Sequence, residues 1–144
     1  MPQLNYHRLA LQTAYAKQWN ISKIDVLLCP ANASVASAHR ESKYWGYSSV
    51  FNILDYSALT FPISVVKESD TWENFPRNVE TCMSKEDELY RSFYGNRGEG
   101  PRKYKDAPVA LQLVGRRFAE EKLLGILERI MDDLKEDEGA RSML

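Results

Sequence analysis

Cysteine and histidine are scarce in this 144-residue sequence, with two of each: Cys29, Cys82, His7 and His39. Two unpatterned cysteines cannot build a disulfide framework or a zinc cluster. The histidines lie far apart, and no pair of ligands has zinc spacing, so no metal and no cofactor is implied. An excess of charge of either sign is also missing. Nineteen basic residues face twenty acidic ones, for a net charge of -1, which leaves no basic footprint for nucleic acid and no polybasic membrane patch. No apolar run approaches the ~18 residues that cross a bilayer. The opening stretch MPQLNYHRLALQTAY lacks the basic region followed by an apolar core that marks a secretion signal. Together these absences give the expectation of a reduced, cytoplasmic protein with no nucleic-acid partner and no membrane span.

What is present is the composition of a soluble globular chain, 44% hydrophobic and 27% charged, of a size for one compact domain. Residues 4–19 place Leu4, Leu11, Tyr15 and Trp19 on one face, with Ala10 and Ala14 beside them, at the spacing of an amphipathic helix. Ile24 to Cys29 is a short apolar run stopped by Pro30, of the kind that is buried on both sides, as in a parallel sheet. After a small-residue loop, helical spacing returns from Tyr44 to about Asp55 through Tyr47, Val50, Phe51 and Leu54. ALTFPISVV then reads as an extended run whose Pro62 cannot donate a ladder bond and so belongs at an edge or bulge.

Residues 67–106 form an irregular excursion with Pro76, the turn cluster GNRGEGP and a short helix near Glu86 to Tyr94. PVALQLVG is a clear strand ended by Gly115, and a closing helix runs from Ala119 to about Glu136 on Leu123, Leu127, Ile130 and Leu134. Its Glu120 and Glu121 oppose the positive end of the helix dipole, and the tail DDLKEDEGARSML is expected to fray. The order of elements gives an α/β class, with helices packed on a sheet. Only about three strands are evident, so the sheet is an incomplete, mixed one. Residues 1–144 read as a single segment of a larger layered fold.

Few side chains here are equipped for chemistry. Cys29, at a strand end, and His39 form an imaginable nucleophile and base, although a cysteine ending an apolar strand is ordinarily a small buried hydrophobe. The glycines of GNRGEG lack the flanking strand and helix of a phosphate loop. Arg116 and Arg117, between a strand and a helix start, are either placed to meet an anion or form a solvated pair. The adjacent Ser48 and Ser49 lie in a helical pattern whose backbone amides are spent on helix bonds. Lys43 is the nearest basic side chain, and nothing local would deprotonate either serine or supply an oxyanion hole.

DVLLCPANASVA, FNILDYSALTFPISVV and YKDAPVALQLVGRRFAEEKLLGILERI follow one another in a way that resembles the C-terminal part of amidase signature enzymes. The likeness is to the fungal acetamidase-like and fatty-acid-amide-hydrolase-like branch, and it covers roughly residues 4–135. It implies a partial amidase-signature fold and the chemistry of amide C–N hydrolysis. The family works with a Ser–cis-Ser–Lys triad in a glycine- and serine-rich signature. That signature has no counterpart in this sequence, so no catalytic residue is carried over. Ser57 stands where members of the family commonly have proline, a departure that relaxes the turn and affects little else.

By the same resemblance, the helix holding Tyr47–Leu54 lines a substrate channel in relatives with long acyl substrates. Ser48 and Phe51 are therefore candidates for a pocket wall, against the plainer reading that they pack the helix. The expectation is a truncated amidase segment, inactive alone, that contributes sheet and pocket wall. Two alternatives stay open: a non-catalytic interaction module built on the amidase fold, and one half of a split amidase. The implied partners are a small-molecule amide, if an N-terminal half completes the enzyme, and another chain, identical or different, paired through the open sheet edge.

Overall fold

The computed structural model describes residues 2–70, 82–94 and 100–141. Among these residues, four helices and three strands follow in the order α1 (Pro2–Ser22), β1 (Leu27–Pro30), α2 (Gly46–Leu54), β2 (Ser57–Val65), α3 (Lys85–Tyr94), β3 (Pro108–Gly115) and α4 (Glu120–Arg141), with a 3₁₀ turn at Gly100–Tyr104 before β3. The class is α/β, and the sheet is an open one of three strands in the order β1-β3-β2. Its strands run antiparallel, not in mixed directions. The apolar runs invite a parallel reading because burial on both faces leaves no alternation along a strand. Here that burial is confined to the central strand, where Gln112 to Gly115 of β3 are all buried. Pro62 falls on β2, which is an edge strand of the sheet.

Residues 1–29, 49–60 and 112–144 form one compact unit. Its core joins Phe51, Leu54 and Val114, with Tyr15, Leu27, Cys29, Val50 and Tyr56 packed around them. The step from α2 to β2 is a Schellman turn. Tyr56 N–H donates to Phe51 O at 3.0 Å, Asp55 N–H donates to Asn52 O at 3.2 Å, and Asp55 adopts φ 60°. Gln12 Nε2 donates to the carbonyl of Ile53 at 3.0 Å, satisfying another acceptor at the helix end. The turn delivers Tyr56 edge-on to Tyr15 and Trp19, at ring separations of 5.7 and 5.4 Å. At the end of β3, a Cβ on Gly115 would come within 3.1 Å of Ala119 Cβ and 3.2 Å of Leu123 Cδ2. Glycine there lets α4 approach the strand closely.

The stripe expected on α1 is covered only toward its C-terminal end. Trp19 is buried, whereas Leu4 is 72% and Leu11 43% exposed. Helix α4 runs on to Arg141, past the expected end near Glu136. The segment contains no proline, and Glu136, Glu138, Ala140 and Arg141 favour helix enough to carry it through Gly139, so the described part of the tail is helical.

The described residues within 30–48 and 61–111 form the second unit. Phe61, Val66, Tyr90 and Tyr104 are buried in it. The β2–β3 ladder is continued by Val66 N–H to Ala107 O and Asp106 N–H to Val66 O, both 3.0 Å. Within the expected excursion, α3 begins on a serine N-cap. Ser84 Oγ accepts from Asp87 N–H at 3.1 Å, while the Asp87 carboxylate accepts from Met83 N–H at 2.9 Å. Pro76 and most of the glycine-rich turn lie outside the described residues.

Helix α2 starts at Gly46, two residues later than the periodicity suggests. The N–H groups of Lys43 and Tyr44, just before it, both donate to the Tyr90 hydroxyl at 3.1 Å.

Candidate functional site

Ser48 belongs to the second unit and lies in the first turn of α2, on the exposed surface. Its N–H and its hydroxyl both donate to the carbonyl of Trp45, at 3.0 and 3.3 Å. The hydroxyl thus serves as a local helix-start contact. Ser49 is exposed, and neither serine has a basic hydrogen-bond partner among the described residues. Phe51 belongs to the first unit, where it is 5% exposed and packs with Leu54 and Val114. The two residues singled out for a pocket wall therefore have different surroundings: one hydroxyl at the surface, one ring in the core.

Cys29 is half-buried and hydrogen-bonded by Gln112, and burial pushes its thiol above the usual range. A thiolate nucleophile is disfavoured there. Cys82 is exposed. No group of three or more His, Cys, Asp or Glu side chains among the described residues could hold a metal ion. No described helix is long and apolar enough to cross a membrane.

The adjacent arginines are handled differently from each other. Arg117 pairs with the Asp55 carboxylate at 2.7 Å. Arg116 turns the other way and donates to Asn20 Oδ1. It lines a cleft of about 490 Å³ with Trp19, Asn20, Lys23, Ile24, Asp25, Ala119 and Lys122. Across the cleft mouth Lys122 pairs with Asp25 at 2.6 Å, which holds the Asp25 carboxyl below its ordinary range.

Lys23, Asn20 and Trp19 are not legible as site residues in the sequence, because a helix end and a strand–helix loop more than ninety residues on share nothing visible there. The role of Ser57 is equally hidden. The Ser57 hydroxyl donates to Glu120 Oε1 at 2.7 Å and accepts from Ala119 N–H at 3.3 Å. It is a cap on α4 supplied from β2, and a proline there would make neither bond.

Comparison with known proteins places these features in a family. The family model described as Amidase matches residues 2–124. Amidase 1 of Gibberella moniliformis is 39% identical over 138 residues, covering 89% of this chain and 24% of that protein. The acetamidase of Aspergillus oryzae is 31% identical over 108 residues, covering 75% of this chain and 18% of its own length. Among solved structures, a fatty acid amide hydrolase superposes with a TM-score of 0.67 at 29% identity, over 91% of this chain and 22% of that one. The chain thus spans about a fifth to a quarter of the length of the curated relatives it matches.

Proposed function

This chain belongs to the amidase family, and from that premise we propose that it is the C-terminal portion of an amide C–N bond hydrolase. It contributes part of the sheet and of the substrate-pocket wall, and the residues that break the amide bond come from elsewhere in the fold. The observation that carries this reading is the match itself: nearly the whole chain aligns, yet with only 18–24% of the relatives' length. The surroundings of the serines support it. A serine nucleophile needs a base in hydrogen-bond reach and donors aimed at the developing oxyanion, and Ser48 instead spends its hydroxyl on Trp45 O. On this reading the substrate is a small-molecule amide, no catalytic residue lies in these 144 residues, and they do not hydrolyse amides alone.

Within the proposal α2 forms part of the pocket wall, with Ser48 on its exposed surface and Phe51 backing the helix from the core. Leu4 at 72%, Leu9 at 58% and Leu124 at 56% exposure are apolar surface that the remaining amidase fold would cover. The outer edges of β1 and β2 are where its further strands would join. The location that fits is the cytoplasm.

A chimera tests this. The matching segment of the Aspergillus oryzae acetamidase is replaced by this chain, and acetamide hydrolysis is followed. Activity is expected, with Ser48→Trp changing KM more than kcat. A folded chimera without hydrolysis would count against the assignment. An active one indifferent to Ser48→Trp would remove Ser48 from the wall.

A further inference from the structure

We infer that the cleft between the end of α1 and the start of α4 binds an organic oxyanion, a carboxylate or phosphate carried on an apolar body. The inference rests on this cleft alone and stands whether or not the amidase reading does. Trp19, Asn20 and Lys23 come from the end of α1, Arg116 from the β3–α4 loop, and Lys122 from the first turn of α4. Among the described residues three cations and one carboxylate line it, and the carboxylate, Asp25, is taken up by Lys122. Lys23 and Arg116 have no carboxylate partner among the described residues, while the neighbouring Arg117 does. A net charge of about two positives is thus left facing one concavity, in a chain whose overall charge is -1.

The positioning of both groups is specific. Lys23 is the residue after α1 and takes a left-handed conformation, φ 51°, with its N–H on Trp19 O at 3.2 Å. That helix-end position favours glycine. A lysine held there brings a charged side chain to the cleft at some conformational cost. Asn20 Oδ1 accepts from one terminal nitrogen of the Arg116 guanidinium, and among the described residues the other N–H donors of the fork remain for a ligand. The apolar lining is Trp19, buried at 5% exposure, with Ile24 at 40% and Ala119.

The volume, about 490 Å³, lies in the range of small-ligand sites, roughly 300–1,000 Å³. A competing role for the cations is to offset the negative end of the α1 dipole. That role needs no ligand and no apolar lining.

The experiment titrates the full chain with phenyl phosphate, with benzoate and with neutral benzyl alcohol. The Trp19 indole N–H resonance is followed by NMR, with Trp19→Phe assigning it. Saturable binding is expected for at least one anion, with Kd on the order of 1 mM, and none for benzyl alcohol. Stronger binding of phenyl phosphate assigns a phosphate head, and stronger binding of benzoate a carboxylate head.

Lys23→Gln and Arg116→Gln should each weaken binding at least fivefold, while Arg117→Gln leaves it unchanged. Lys23→Gln alone decides the matter if Arg116→Gln does not fold. The inference is overturned if neither anion saturates by about 20 mM, on the order of twenty times that expected Kd. It is equally overturned if benzyl alcohol binds as well as the anions, or if Lys23→Gln binds them like the unaltered chain.

Discussion

The Ser57 hydroxyl and the Glu120 carboxylate, 63 residues apart in sequence, meet at 2.7 Å, and the same hydroxyl receives the N–H of Ala119. One side chain at the start of β2 therefore ties down the first turn of α4. Replacing it with alanine removes both bonds and leaves a helix-start donor without its partner. Ser57→Ala should lower the stability of the chain by about 1 kcal/mol, read as a shift in the urea midpoint at unchanged m-value. A change under a few tenths of that would show the cap to be water-replaceable.

Asp55 sits at φ 60° at the close of the α2 Schellman turn, and its carboxylate also pairs with Arg117. The pair is exposed on both sides, so its loss costs little, about 0–1 kcal/mol. The backbone conformation decides the outcome. Asp55→Gly should be neutral or stabilising by up to about 1 kcal/mol, and Asp55→Val destabilising by about 1–2 kcal/mol or more, because a β-branched side chain is penalised most in this region. Equal effects of the two substitutions in thermal melts would overturn this account of the turn.

Leu54 is 1% exposed at the centre of the first unit's core, against Phe51 and Val114. Leu54→Ala removes a fully buried side chain and leaves a cavity beside a sheet strand. The expected loss is about 2–5 kcal/mol, measured by chemical denaturation. Truncating the equally apolar but 72%-exposed Leu4 to alanine should change stability by less than about 0.5 kcal/mol.

Acid should unfold the chain partly through Glu41, whose carboxylate accepts from Lys103 and, at 2.7 Å, from the Tyr104 hydroxyl. Both bonds hold its pKa below the usual glutamate value, Lys103 contributing the more. A carboxyl depressed on folding adds stability that is fully present above its unfolded pKa, about 4.3. That stability is lost as pH falls through the lower folded value. Asp25, lowered by Lys122, and Asp87, lowered by Arg91, act in the same direction. Glu41→Gln should reduce stability at neutral pH and flatten its fall below about pH 4. An unchanged acid profile would remove Glu41 from the account.

Much of the fold was legible because its signals are local. The Phe51–Leu54 spacing, the Pro62 edge and the PVALQLVG run each carry their own physical reason, and in sequence they mark the family. What escaped were relations between distant residues. Periodicity shows that Leu4 and Trp19 share a helical face, but not that only one end of that face is covered. Nothing in a lone Ser57 announces a helix start beyond residue 118, and a lysine at position 23 gives no hint that it occupies a glycine-like conformation. The cleft escaped for the same reason, since its cations come from three elements.

The central claim is that these residues supply framework and pocket wall, not the hydrolytic nucleophile. Its most direct test is to treat the purified 144-residue chain with a fluorophosphonate probe and measure covalent labelling by intact mass. The account predicts no adduct under conditions that fully label an amidase relative. A stoichiometric adduct on a serine, abolished by mutating that serine, would contradict it.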